Sequence, residues 1–121
     1  MSYVCQNPSL QEGKVVGTGQ CVAFIQACAG APTTATWRQG VQVKTADLAT
    51  IAPGTAIATF VDGHYANHAS GNHAAIYISH DSEGIQVWDQ WSGQSVHRRT
   101  IHYKGGHGSA SNDGDQFYVI E

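Results

Sequence analysis

Gly17-Thr18-Gly19-Gln20-Cys21-Val22-Ala23-Phe24-Ile25-Gln26-Ala27-Cys28-Ala29-Gly30 is the stretch on which the reading of the fold turns. Cys21, Phe24, Ile25 and Cys28 fall at i, i+3, i+4 and i+7, one stripe of an α-helix that should pack on a sheet. Thr18 or Gly19 can cap its start, and Gly30 suits the left-handed residue that closes its end. Thr36 to Gly40 reads as a second, shorter helical piece, in which Trp37 is equally readable as a core anchor. After the turn pair Pro53-Gly54 the apolar period changes to two. Thr55 to Val61 reads as a strand, Asp62 to Asn72 as a polar loop, and His73 to Ser79, Ile85 to Trp91, Ser95 to Tyr103 and Gln116 to Ile120 as further strands. One helix followed by about five antiparallel strands is an α+β layout. Lys104 to Asp115, rich in glycine, serine and aspartate, reads as a loop projecting from the surface.

The 121 residues suit one domain, 1–121, and no apolar run approaches the roughly 20 residues of a membrane span. The N-terminus lacks the regions of a signal peptide, so the expectation is synthesis in the cytoplasm with any export by another route. Six Lys and Arg and a net charge of -3 offer no clustered positive field for nucleic acid or an anionic membrane.

Three cysteines leave at least one thiol outside any disulfide. Cys21 stands in the first helical turn, where the helix dipole and unpaired N–H groups stabilise a thiolate. The same N–H groups can donate to the oxyanion formed when sulfur attacks a carbonyl. A small buried hydrophobe is the commoner fate of a free cysteine, and it is the competing reading. Cys28 is seven residues on, about 10.5 Å along the axis at 1.5 Å per residue, too far for a bridge to Cys21. Any bridge therefore uses Cys5. A bond from Cys5 to Cys28 leaves Cys21 free, and a fully reduced chain does so equally.

A thiolate needs a proton-handling partner, and among seven histidines His73 differs because it opens a strand directly after a flexible loop. If His80 to Gly84 is a five-residue hairpin connection, Ser79 pairs with Ile85, Tyr77 with Val87, Ala75 with Asp89 and His73 with Trp91. His73 and Asp89 are then diagonal neighbours on one face. Asp89 shares its phase with Ile85, Val87 and Trp91, so its carboxylate points inward and needs a partner. His73 is one such partner; Arg98 or Arg99 is the structural alternative. A one-residue change in the loop would exchange Asp89 for Gln90. Small side chains at Ala74 and Ala75 would let the Cys21 helix lie close, giving the logic of a papain-like triad.

Gly19-Gln20-Cys21-Val22-Ala23, Gly71-Asn72-His73-Ala74-Ala75-Ile76-Tyr77 and Ile85-Gln86-Val87-Trp88-Asp89-Gln90-Trp91 together resemble the small papain-like amidase superfamily of the NlpC-type and CHAP peptidoglycan hydrolases. Trp37-Arg38-Gln39-Gly40 with Pro53 to Phe60 also resembles a compact bacterial subgroup related to type VI secretion amidase effectors. The resemblance implies a papain-like α+β fold with the catalytic helix packed on an antiparallel sheet. It implies Cys21 as nucleophile, His73 as general base and acid, and an orienter for which Asp89 is the candidate. Gln20 or nearby backbone N–H groups would assist the oxyanion, and His64, Tyr65, Trp88 and the 104–115 loop would line the cleft. The implied substrate is an amide in peptidoglycan stem peptides or crosslinks, cut in a target-cell periplasm without a cofactor, and the implied partner is a cognate immunity protein. Two rivals stand beside this reading. His64 and His68 have the i, i+4 spacing of helical zinc ligands but lack the accompanying glutamate. Trp37, Trp88 and Trp91 would serve a non-catalytic binding module as a ligand platform, though core packing is the ordinary role for at least two of them.

Overall fold

The computed structural model describes residues 2–66, 68 and 70–121. Helix α1 spans Cys21–Ala29, with Gln20, in an extended conformation, as its N-cap residue rather than Thr18 or Gly19. Gly30 ends it at φ 69°, its N–H bonded to the Gln26 carbonyl. Phe24 and Ile25 are wholly buried, and Cys28 is joined by a disulfide to Cys5. That cross-link, over a sequence separation of 23, ties the N-terminal segment to the helix. Closing a loop of this length contributes about 3 kcal/mol by restricting the unfolded chain.

Among the described residues the strands are β1 (Gln39–Gln42), β2 (Ala56–Thr59), β3 (Ala74–His80), β4 (Gly84–Trp91), β5 (Gln94–His102) and β6 (Phe117–Ile120). They form one antiparallel sheet in the order β1-β6-β2-β3-β4-β5. The expected helical piece at Thr36 to Gly40 is instead a 3-10 turn at Thr34–Thr36 running into β1. Pairing with β6, from the far end of the chain, decides this. A four-residue segment takes its hydrogen bonds from the sheet when local propensity is weak.

The sheet buries both faces. Ala56, Ala58, Ala74 and Ile76 belong to the cluster that contains Phe24 and Ile25 of α1. Ile57, Ala75, Tyr77, Ile85 and Val87 face the other way, where Val43 and Ile51 of the β1–β2 connection cover them. Ala74 therefore lies toward the helix and Ala75 away from it, as alternation along a strand requires.

Two irregularities position the site. The β3–β4 hairpin pairs His80 with Ile85 and Ser79 with Gln86, not Ser79 with Ile85, so its loop is one residue shorter than expected. A bulge between Tyr77 and Ser79 absorbs the difference and restores Tyr77 opposite Val87 and Ile76 opposite Trp88. Asp89 consequently keeps the face it would have had with the longer loop. A second register shift, between Asp89 and Trp91 on the β5 side, falls at Gln90. Bulges of this kind re-aim side chains beside functional sites.

Candidate active site

Cys21 opens α1 at the end of the sheet where His73 precedes β3. His73 is held by its backbone, its N–H donating to the Thr59 hydroxyl and its carbonyl accepting from the Thr59 N–H. Its Nε2 lies 2.7 Å from Asp89 Oδ2, and His73 and Cys21 line the same cleft, close enough for each to shift the other's titration. Asp89 is fully buried and does not choose between the two partners weighed for it. The same Oδ2 accepts from Arg99 Nε at 2.7 Å, while Oδ1 has no hydrogen-bond partner among the described residues and lies 3.7 Å from His97 Nε2.

The charges support one another. Burial opposes the Cys21 thiolate, but the hydrogen bond and charge of His73, the Ala74 backbone N–H and the Tyr65 hydroxyl outweigh it, and the thiol pKa falls below its ordinary value. Burial likewise opposes the His73 imidazolium, yet Asp89 and Cys21 raise its pKa to about 9. Asp89, also penalised by burial, is held ionised below the usual carboxylate range by His73 and Arg99. Imidazole thus favours the charged form of both sulfur and carboxylate, and they favour its charged form, the arrangement that stabilises a thiolate–imidazolium pair backed by an anion.

Tyr65 is buried, as expected of a cleft residue, with its hydroxyl 3.8 Å from Cys21 Sγ. Asn72 Nδ2 donates to that hydroxyl at 3.1 Å. An amide nitrogen only donates, so the Tyr65 oxygen accepts from Asn72 and keeps its own proton free to donate to a Cys21 thiolate. Burial, then the neighbouring Cys21, pushes the phenol pKa far above its ordinary value and keeps that proton in place.

A cleft of about 370 Å³ is lined by Gln20, Cys21, Tyr65, His68, His73 and Trp91, among others. Gln20 therefore stands beside the thiol, next to the free N–H groups of the first helical turn. Two expected cleft residues are elsewhere. His64 forms a β-bridge with Val61 and lines a separate cavity with Trp37 and Arg38. Trp88, one residue out of phase with Asp89, is half-buried against the α1-side cluster. The His64–His68 spacing is not helical, and Asn67 within it lies outside the described residues. Trp37, 2% exposed, donates its indole N–H to the Pro32 carbonyl and packs on Tyr65, so the tryptophans make no common platform. The 104–115 loop does not project freely. Buried Asp113 accepts from the N–H groups of Lys104, Gly106 and Asp115, and Ser111 and Asn112 line a cavity beside His73.

Gln90 is a residue whose role the sequence reading missed. Wholly buried on the face opposite Asp89, it accepts from the Val16 N–H and donates to the carbonyls of Val16 and Gln20. It clamps the segment that delivers Cys21. The available signal was a strand-centre glutamine flanked by tryptophan and aspartate, whose amide had to find backbone partners if buried.

An antiparallel sheet with the N-terminus of one packed helix directed at the mouth of a central strand is the papain-like α+β fold. A family model described as domesticated amidase effector 2 matches residues 1–120, and the chain belongs to that family. It is 36% identical to a type VI secretion amidase effector 2 protein of Salmonella typhi, over the full length of both. It is 41% identical to a domesticated amidase effector 2 of Ixodes scapularis, across 97% of this chain and 83% of that one. A solved structure of a type 6 secretion amidase effector 2 superposes with a TM-score of 0.88 at 36% identity, covering 98% of this chain and 94% of that one.

Proposed function

We propose that this protein is a cysteine hydrolase that cuts an amide bond in peptidoglycan stem peptides or crosslinks. The observation that carries the reading is the meeting of Cys21, at a helix N-terminus, with His73 backed by Asp89 at 2.7 Å, in a chain of an amidase effector family. Cys21 attacks the carbonyl carbon, and the oxyanion is met by the N–H groups of the first helical turn with Gln20 beside them. His73 passes its proton to the leaving amine, which departs as the thioester forms. It then takes a proton from the water that hydrolyses the thioester. Asp89 orients the imidazole. No step calls for a metal or cofactor, and residues 1–121 act as one catalytic domain.

The biological setting follows the effector relatives: export by a type VI machine, action in the periplasm of a target cell, and a cognate immunity protein that covers the cleft. No helix among the described residues is long and apolar enough to cross a membrane. The test is digestion of purified sacculi with mass spectrometry of the released muropeptides. Cleaved fragments from the wild type and none from Cys21→Ala are expected. Intact muropeptides with the wild type, or equal release by the variant, would refute the reading.

A further inference from the structure

Adjoining the Cys21 cleft at His73 is a second cavity, of about 410 Å³, lined by Ser70, Asn72, His73, Trp91, Arg99 and Asn112 with two small neighbours but not by the thiol. It shares Asn72, His73 and Trp91 with the Cys21 cleft, whereas Gln20, Cys21 and Val22 line only the latter. The carbonyl under attack must sit against the thiol and the helix N–H groups. The departing nitrogen must sit within reach of His73, so the substrate beyond that nitrogen extends past the imidazole, into the space the second cavity provides.

The wall of this cavity is cationic. His73 and Arg99 face it, no Asp or Glu lines it, and Asp89 is wholly buried behind them. Arg99 spends Nε on Asp89 and lays its guanidinium 5.1 Å over the Trp91 ring. This fixes the plane of the guanidinium and leaves its two terminal nitrogens, a fork that matches a carboxylate, without a hydrogen-bond partner among the described residues. Beside it, Asn72 Oδ1 is a buried acceptor with no partner among the described residues, suited to a substrate N–H.

We propose that this cavity is the leaving-group subsite and that Arg99 binds a carboxylate carried by the substrate residue on the amine side of the scissile bond. The proposal rests on the amidase reading and adds a chemical requirement to it. Two muropeptide-derived peptides test it, identical except that the amine-side residue bears a free carboxylate in one and its primary amide in the other. The wild type should favour the carboxylate form roughly 10–100-fold in kcat/KM, chiefly through KM, the scale of a charge-assisted contact. Arg99→Gln should bring that ratio close to one even if the altered support of Asp89 slows both substrates. Ser111→Asp, which sets a carboxylate in the same cavity, should turn the preference toward the amide and keeps the test open if Arg99→Gln does not fold. Equal cleavage of both peptides by the wild type overturns the subsite while leaving the amidase reading intact, as does an undiminished ratio in Arg99→Gln. Failure to cut either peptide or any sacculus removes both.

Discussion

Two buried histidines stand at opposite ends of β3, and their difference shows what turns a core imidazole into a chemical one. His73 is 5% exposed and His80 8%. His80 bonds Tyr77 Oη through Nδ1 at 2.7 Å and the Ala46 carbonyl through Nε2 at 2.8 Å. A carbonyl only accepts, so Nε2 donates to Ala46, and both partners of this imidazole, a carbonyl and a hydroxyl, are uncharged; together they fasten the β1–β2 connection to the sheet. His73 has instead a carboxylate on one side and a thiol on the other. Burial is common to both, and the charge of the partners separates them.

The contrast is broken most decisively by truncating each imidazole. On the proposed mechanism His73→Ala should lower kcat by about 10⁴-fold or more without unfolding the protein, since a nucleophile and its proton donor act as a unit. Asp89→Asn should cost about 10²–10⁴-fold by removing the charge that orients and holds the imidazolium. Gln90→Leu, measured by urea denaturation, should destabilise by about 1–3 kcal/mol for each backbone group left buried and unpaired. It should also slow alkylation of Cys21 by iodoacetamide, because the segment carrying the helix N-terminus loses its clamp. At the lower end His80→Ala should cost about 1–3 kcal/mol of stability and leave kcat within a factor of about two. A kcat loss there comparable to that of His73→Ala would erase the distinction.

The pH profile sharpens the same comparison. In the proposed reaction the competent form has Cys21 deprotonated and His73 protonated. As pH falls through the depressed Cys21 value the thiolate is lost, and as pH rises through about 9 His73 loses the proton it must deliver. Stopped assays of kcat/KM should therefore trace a bell with its alkaline limb near pH 9. Because Asp89 contributes to the raised His73 value, Asp89→Asn should draw that limb to lower pH. His80→Ala should leave it in place.

Much of this arrangement was legible because it rests on short-range periodicity. The stripe from Cys21 to Cys28 and the closing Gly30 marked α1, and the inward phase of Asp89 against Ile85 and Val87 is a property of one strand. Asp89 reaches the expected face through two compensating differences, a loop one residue shorter and a bulge after Tyr77. Neither leaves a mark in local pattern, since both are settled by which backbone groups find partners across the hairpin. Trp88 was misplaced for a simpler reason: adjacency to Asp89 in sequence puts it on the opposite face of the strand.

The sequence alone determined the helix bearing Cys21, the mouth-of-strand position of His73 and the α+β class, because capping, periodicity and turn chemistry act within a few residues. Only the tertiary structure decided that β1 pairs with β6, that Cys5 rather than solvent meets Cys28, and that Arg99 shares the Asp89 carboxylate with His73. It also decided that the Tyr65 hydroxyl meets the sulfur and that Gln90 pins the segment before the helix. Most of those contacts join residues 10 to 70 or more positions apart, and their energies depend on how the buried polar groups of the whole fold are satisfied at once.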